Sequence, residues 1–163
     1  MIILGIDPGL HISGYAIARR EGSRVILLEC SYLRMSYSTP LAERVGRFGE
    51  FFTDIVRTKN ITDIALETSF LGRNAQTFLK LGYLRGVLYY IASTHKITLH
   101  EFAPRQVKSA ATGYGGASKD QVARMMHQLF PGLEEQEKQD VTDALAITLC
   151  GAWHINHKAF SSI

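Results

Sequence analysis

"MIILGIDPGLHISGYAIARREGSRVILLECSYL", residues 1–33, predicts three consecutive β-strands at the start of the chain. Ile2–Ile6 is a short, continuous apolar run of the kind found in buried strands, and it ends at an Asp-Pro-Gly turn. Gly14–Ala18 and Val25–Leu33 are two further strands with a Glu-Gly-Ser turn between them. Because the three strands are consecutive and the connections are short, we expect them to pair as an antiparallel meander.

The periodicity of the apolar residues changes after this meander. After Pro40 they recur every three or four positions, which predicts an amphipathic helix; they are Leu41, Val45, Phe48, Phe52 and Ile55. Strands are predicted at Ile61–Thr68 and Ile97–Ala103, with a long helix at Ala75–Thr94 between them. Shorter helices follow near residues 105–111 and 119–130, and a last helix runs from Asp140 to His154.

Strands that alternate with helices pair in parallel, whereas the first three strands pair antiparallel. The sequence therefore predicts an α/β protein with one five-stranded mixed sheet and helices on both faces. We expect residues 1–156 to form a single domain, because no repeat or linker interrupts them, and residues 157–163 to be a short C-terminal tail.

The composition is that of a soluble globular protein. Of the 163 residues 46% are hydrophobic and 20% charged, and no apolar run is long enough to span a bilayer. The N-terminus does not resemble a signal peptide, and the two cysteines, Cys30 and Cys150, lie in apolar stretches typical of reduced core thiols. We therefore expect a cytoplasmic protein without a membrane partner.

Positive charge is concentrated in the middle of the chain. Residues 71–124 contain eight basic and two acidic side chains, a net charge of +6, although the whole chain carries only +3. Such a segment is either a solvated face or a surface that binds a polyanion, and the charge alone does not decide between these.

Four acidic residues stand at the ends of predicted elements. Asp7 closes the first strand, Glu67 closes the fourth, and Asp140 and Asp143 lie three residues apart at the start of the most apolar helix. Each acid taken alone is more often a cap for a turn or a helix. If the first and fourth strands are parallel neighbours, however, their acids emerge at the same sheet edge, where the last helix would add the other two.

Four carboxylates side by side need a counter-charge. An oxygen-only ligand set suits Mg²⁺ or Mn²⁺, and two such ions about 4 Å apart can promote hydrolysis of a phosphodiester. The basic segment is then explained by a polyanionic substrate. The glycine-rich stretch Thr112–Ser118 is better interpreted as a surface loop than as a phosphate-binding motif, since it lacks the required spacing.

Four blocks of the sequence resemble, in order, the RuvC family of Holliday-junction resolvases. They are "GIDPGLHISGYA", "ALETSFLGRNAQTFLKLGYLRGV", "FAPRQVKSAATGYGGASKDQV" and "QDVTDALAIT", and the likeness extends over about residues 1–153. The resemblance implies a ribonuclease H-like fold and an endonuclease that resolves four-way DNA junctions by paired symmetric nicks in recombination and repair. It also implies that the enzyme acts as a homodimer with a branch-migration helicase and its junction-binding partner.

The resemblance also implies roles for individual residues. Asp7, Glu67, Asp140 and Asp143 correspond to the catalytic, metal-binding acids, with two Mg²⁺ ions and Mn²⁺ as a substitute. Lys108 and Lys119 correspond to lysines that assist catalysis and contact DNA. Phe70 corresponds to an aromatic residue at the junction centre, and the basic segment around it supplies further candidate DNA contacts, namely Arg73, Asn74, Lys80 and Arg105.

Alternatives remain open at this point. A nuclease of the same fold that acts on structured RNA is the nearest alternative. An actin-like or sugar-kinase-like ATPase and a catalytically inactive DNA-binding module are more distant.

The helix Ala75–Thr94 carries more apolar residues than one buried face needs, since Leu79, Tyr83, Val87 and Tyr90 lie off its main stripe. Its tyrosines, Tyr89 among them, are interpreted as packing residues. We hypothesise that this helix packs against its two-fold mate.

Overall fold

The computed structural model describes residues 1–69, 74–133 and 139–155. In chain order the elements are β1 (Ile2–Asp7), β2 (Ile12–Glu21), β3 (Arg24–Arg34), α1 (Leu41–Thr58), β4 (Asp63–Glu67), α2 (Ala75–His95), β5 (Thr98–Phe102), α3 (Pro104–Thr112), α4 (Lys119–Leu129) and α5 (Gln139–His154).

The five strands form one mixed sheet in the order β3-β2-β1-β4-β5. The first three strands pair antiparallel, as predicted, and β4 joins β1 in parallel with Ile6 opposite Leu66. β5 then joins β4, also in parallel. The central position of β1, between an antiparallel and a parallel neighbour, is what makes the sheet mixed and brings the end of β1 next to the end of β4.

Helices cover both faces of this sheet. On β1, Leu4 and Ile6 face a core formed with α1 and α2, in which Phe48, Phe52 and Leu88 are fully buried. Ile3 points to the opposite face and packs against α5, α3 and α4. The alternation follows from the two-residue period of a strand, so a strand that is apolar at every position is covered on both sides.

The last helix, α5, lies unusually close to the sheet because glycine stands beneath it at two points. A Cβ atom on Gly5 would lie 2.1 Å from the hydroxyl of Thr148, and one on Gly14 would lie 1.9 Å from the backbone oxygen of Asp140. The Thr148 hydroxyl donates to the Ala144 carbonyl at 2.8 Å inside the helix. This close approach holds the acidic first turn of α5 at the end of the sheet.

Two expectations about secondary structure and packing need correction. The hairpin strands β2 and β3 are longer than the apolar stretches Gly14–Ala18 and Val25–Leu33, because backbone pairing continues through polar residues up to the turn at Gly22. Tyr83 and Tyr90, expected to be packed, are 55% and 70% exposed. Tyr89 is 47% exposed, although its hydroxyl bonds to Glu101 of β5. They lie on the side of α2 that faces away from the core.

The predicted tail, residues 157–163, falls outside the described residues, so the domain boundary stays a prediction. Among the described helices, none combines the length and apolar character that a bilayer crossing requires.

Candidate active site

Three acidic side chains meet in one cleft at the carboxyl ends of the parallel strands. Asp7 ends β1, Glu67 ends β4, and Asp143 comes from the first turns of α5. All three line a cleft of about 230 Å³ together with Lys108 of α3 and Lys119 of α4. The predicted meeting of strand-end acids with an acid of the last helix is therefore seen in the fold, and two of the predicted basic residues lie in the same cleft.

The fourth acid, Asp140, belongs to the edge of this group. It lines an adjoining cavity with Pro8, the residue after Asp7, and is near enough to raise the pKa of the Asp7 carboxyl. Asp140 and Asp143 both lie within the first turns of α5, which begins at Gln139. The four carboxylates are thus electrostatically coupled without all pointing into the same space.

Burial and like charge together perturb the acid on β1. Burial, together with the nearby carboxylates of Asp143 and Asp140, raises the pKa of Asp7 to about 7 despite the lowering effect of Lys119. Burial also raises the pKa of Glu67, again with a contribution from Asp143. The cleft therefore holds more negative charge than its two lysines compensate.

Lys119 is fixed in position by the start of its helix. Ser118 caps α4 through a reciprocal pair of hydrogen bonds with Gln121, which places Lys119 in the first turn. Its ammonium donates to Asp143 Oδ2 at 3.0 Å, and this bond raises the pKa of the lysine. Lys108 reaches the cleft from α3, and both lysines act to lower the pKa of Glu67.

Arg85 is a residue next to the site that the sequence did not single out. Its guanidinium donates to the backbone carbonyl of Glu67 at 2.8 Å and also forms a salt bridge with Glu101 of β5. The side chain is only 12% exposed. Arg85 therefore ties α2 to the end of β4, a contact that only the packing of α2 against the sheet reveals.

The donor atoms around the cleft suit a hard divalent cation. They are carboxylate oxygens, and burial and neighbouring carboxylates raise the pKa values of two of the acids, Asp7 and Glu67. A bound Mg²⁺ or Mn²⁺ would relieve this excess of negative charge. Within the three described ranges, however, no group of three Asp, Glu, His or Cys side chains is already arranged to hold an ion. The donor atoms are thus of the type that such a metal prefers, and some of the side chains must change rotamer to bind it.

The other predicted DNA contacts are dispersed. Asn74 accepts a hydrogen bond from the Thr77 amide at 3.1 Å and so caps α2, while its side chain remains exposed. Lys80 and Arg105 are exposed on α2 and α3 and do not line the cleft. Phe70 and Arg73 lie outside the described residues, and their roles stay predictions.

The sheet order, the helices on both faces and the strand-end acids define the ribonuclease H-like class of α/β proteins. The sequence model of the family "Crossover junction endodeoxyribonuclease RuvC" matches residues 3–151. The chain therefore belongs to the RuvC family.

Curated relatives and solved structures agree with this assignment. The chain is 43% identical to RuvC of Pelodictyon phaeoclathratiforme over 92% of its own length and 78% of the relative's, and 39% identical to RuvC of Marinobacter nauticus over 95% and 87%. The structure of Thermus thermophilus RuvC in complex with its Holliday junction substrate superposes with a TM-score of 0.86 at 29% identity, covering 93% of both chains. A yeast mitochondrial Holliday junction resolvase, at 17% identity and a TM-score of 0.67, shares the fold.

Proposed function

We propose that this protein resolves four-way DNA junctions by metal-dependent hydrolysis of phosphodiester bonds, making paired symmetric nicks during recombination and repair. The observation that carries the proposal is the joint presence of Asp7, Glu67 and Asp143 with two lysines in one cleft. Membership of the RuvC family supports it, as does the Thermus relative, which was solved with a Holliday junction.

Asp7, Glu67, Asp140 and Asp143 are the residues that would hold two Mg²⁺ or Mn²⁺ ions through their carboxylate oxygens. When bound, such ions lower the pKa of water and stabilise the leaving oxygen of a phosphodiester. Ionised acids are required for this binding, so Asp7 must release its proton first.

The two lysines have a separate task in this proposal. The ammonium of Lys119 donates to the Asp143 carboxylate at 3.0 Å. It becomes available to the substrate when that carboxylate binds a metal ion instead. Together with Lys108 it is positioned to contact the phosphate and the negative charge that develops on it during cleavage. Lys80, Arg105 and Asn74 are exposed candidates for contacts to the DNA backbone away from the cleft.

We further propose that the protein acts as a homodimer through α2. Leu79, Tyr83 and Tyr90 are 61%, 55% and 70% exposed and lie at spacings that share one helix face. Gly82 and Gly86 lie on the same helix with nothing within 4 Å of a Cβ atom, so a second helix can approach closely. Val87, expected on this surface, instead packs against α1 beside Gly49 and is not part of it.

A homodimer is the natural state for two matched nicks on a two-fold symmetric substrate, since each chain carries one acid cluster. A branch-migration helicase and its junction-binding protein complete the set of partners that family membership favours.

The test compares a four-way junction, a linear duplex of matched sequence and a folded RNA under Mg²⁺, under Mn²⁺ and with chelator, with ATP hydrolysis measured alongside. We expect paired nicks in the junction only, in the presence of either metal, and no ATP hydrolysis. Preferential cleavage of the RNA, or cleavage that persists in chelator, would contradict the proposal.

A further inference from the structure

A second cavity adjoins the acid cleft, and apart from Asp140 its lining residues take no part in the chemistry described above. It has a volume of about 480 Å³, which lies in the range of small-molecule pockets. Its walls come from the loop after β1, from Tyr37 beyond β3 and from the first turns of α2. Two aromatic rings, those of His11 and Tyr37, form one side of it.

These two rings are stacked on each other. Their centroids are 4.1 Å apart and their planes differ by 15°. Tyr37 is nevertheless 72% exposed, so His11 covers one face of the phenol while most of the ring remains open to solvent. An isolated surface tyrosine needs no explanation, but an exposed ring held parallel to a second ring at the mouth of a cavity is a preformed stacking surface.

The histidine beneath Tyr37 is fixed at both its backbone and its ring. Both bonds are to the buried residue Met35. The Met35 amide donates to the His11 carbonyl at 2.7 Å, and the Met35 carbonyl lies 2.5 Å from His11 Nδ1. Because a carbonyl can only accept, Nδ1 carries the hydrogen, and the ring cannot turn without losing this bond.

The rest of the loop is equally constrained. The Ser13 hydroxyl bonds both the amide and the carbonyl of Gly9, at 3.0 and 2.9 Å, and Arg44 donates to the Leu10 carbonyl at 2.8 Å. A surface that is already ordered loses little conformational entropy when a ligand binds.

The position of the cavity determines which ligand it would meet. Asp140 lines it and also acts on the Asp7 carboxyl in the cleft, and Pro8 directly follows Asp7 in the chain. A DNA strand with a phosphate at Asp7 would bring a neighbouring nucleotide within reach of this cavity. The chemical group of that nucleotide that stacks on an aromatic ring is the base.

We propose that His11 and Tyr37 form a stacking subsite for one unpaired nucleobase of the DNA strand that is cut. The inference rests on the proposed function and extends it, because a base within a duplex has both faces occupied by its neighbours and cannot enter. The subsite thereby favours strands whose bases are unstacked, as at the centre of a junction, over linear duplex. Stacking tolerates any base, so the subsite contributes structural rather than sequence selectivity.

The test pairs a protein substitution with removal of the base from the DNA. Binding is measured by fluorescence anisotropy in chelator at a fixed salt concentration, so that it does not depend on cleavage. We expect Tyr37→Ala to weaken junction binding about tenfold, the scale of one base stacked on one ring, and Tyr37→Phe to restore most of the loss. Trp153→Ala removes an aromatic side chain that is 44% exposed at the far end of α5, and we expect it to leave the affinity unchanged.

A scan of abasic positions along the cut strand then identifies the stacked base. At one position next to the cleavage site the abasic junction should bind wild type and Tyr37→Ala equally, because the partner of the ring is gone. If Tyr37→Ala loses the same factor at every abasic position, or loses none on the intact junction, the subsite does not exist. A change in oligomeric state of Tyr37→Ala, measured by light scattering, would assign the ring to a subunit contact and also overturn the proposal.

A single-stranded oligonucleotide that carries 2-aminopurine separates this inference from the proposed function. Wild type should quench its fluorescence by stacking, and Tyr37→Ala should not. If this difference is found while wild type neither binds nor cuts junctions preferentially, the subsite stands and the proposed function falls. If wild type cuts junctions but the two proteins bind the oligonucleotide equally and without quenching, the subsite falls alone.

Discussion

At the scale of single residues, Asp7 is the acid of the cleft whose surroundings strongly disfavour its charged form. Burial and the neighbouring carboxylates of Asp143 and Asp140 together raise its pKa to about 7. A carboxylate that is costly to ionise gains the most from a bound cation, so its replacement should separate cleavage from binding.

We expect Asp7→Asn, Glu67→Gln and Asp140→Asn each to abolish junction cleavage and to leave junction affinity in chelator within about threefold, because phosphate contacts by basic residues supply most of the affinity. Cleavage and anisotropy assays on the same junction check this. Asp54→Asn, at an exposed acid of α1, is the matched control and should cleave like wild type. Wild-type cleavage by Asp7→Asn at saturating Mg²⁺ would show that the metal site lies elsewhere.

The raised pKa of Asp7 also predicts how stability depends on pH in the absence of metal. The folded protein holds this proton up to about pH 7, whereas an unfolded chain releases it near its ordinary value of 3.8, so proton binding favours the fold. The stabilisation is complete below about pH 4 and is lost as the pH rises to about 7.

We expect the free energy of unfolding contributed by this group to fall by about 2 kcal/mol over that range, after allowance for solvent screening. Urea titrations in chelator at several pH values measure it, and Asp7→Asn should remove most of the slope. Mg²⁺ affinity should rise over the same range, since the metal displaces the proton. A stability that rises from pH 4 to 7 in wild type relative to Asp7→Asn would reverse the sign and refute the assignment.

Lys119, which pairs with Asp143, can be used to test whether the lysines act at specific positions or only as part of a diffuse basic surface. Lys119 donates to Asp143 and lowers the pKa values of Asp7 and Glu67, so Lys119→Glu adds a negative charge where two acids are already hard to ionise. We expect cleavage to fall at least 100-fold, comparable with the loss of a catalytic charge-stabilising donor. Lys80→Glu, on the exposed side of α2, should lower affinity in a salt-dependent way with a much smaller effect on the cleavage rate of bound junction. Equal losses of that rate at both positions would indicate a diffuse basic surface.

At the scale of secondary-structure elements, the contact between α5 and β2 positions the active acids. Gly14 leaves room for the Asp140 backbone, and no side-chain rotation can relieve a clash with backbone atoms. The first turn of α5 must therefore move if a Cβ atom is added there.

We expect Gly14→Ala to reduce the free energy of unfolding by about 3 kcal/mol, at the upper end for an overpacked core, and to impair cleavage more than junction binding. Thermal or urea unfolding and the two assays above measure these effects. Gly46→Ala is the control on the exposed side of α1, where a Cβ atom meets nothing within 4 Å; it should stabilise the protein by up to about 1 kcal/mol. A neutral effect of Gly14→Ala on both stability and cleavage would mean that α5 is not held this closely.

At the scale of the whole molecule, the open question is the partner of α2. Leu79, Tyr83 and Tyr90 form an exposed apolar face on a helix whose midpoint is tied to the Glu67 backbone through Arg85. A two-fold contact through this face would join two acid clusters rigidly through their helices.

We expect wild type to be a dimer by sedimentation equilibrium and Tyr83→Arg to shift it to a monomer at micromolar concentration, with loss of paired nicking. Leu28→Arg, at a 46% exposed position of β3, is the control and should remain dimeric. Mixed dimers of wild type and Asp140→Asn should leave junctions with a single nick. A monomeric wild type that still makes paired, symmetric nicks would refute the dimer.

The sequence by itself determined the elements and the identity of the acids. Apolar periodicity located the strands and helices to within a few residues, and the position of Asp7 and Glu67 at strand ends followed from the same pattern, because these are local properties of the chain. Resemblance of ordered motifs identified the family.

Only the tertiary structure decided how these residues meet. That Asp143 shares a cleft with Lys119 while Asp140 faces the next cavity depends on the close packing of α5 on Gly5 and Gly14. The contacts of Arg85 and the stacked rings of His11 and Tyr37 bring together residues 16 to 26 positions apart in sequence, and no local pattern encodes these side-chain contacts. Periodicity records which face of an element is buried, whereas the partner across that face is set by the packing of the whole chain.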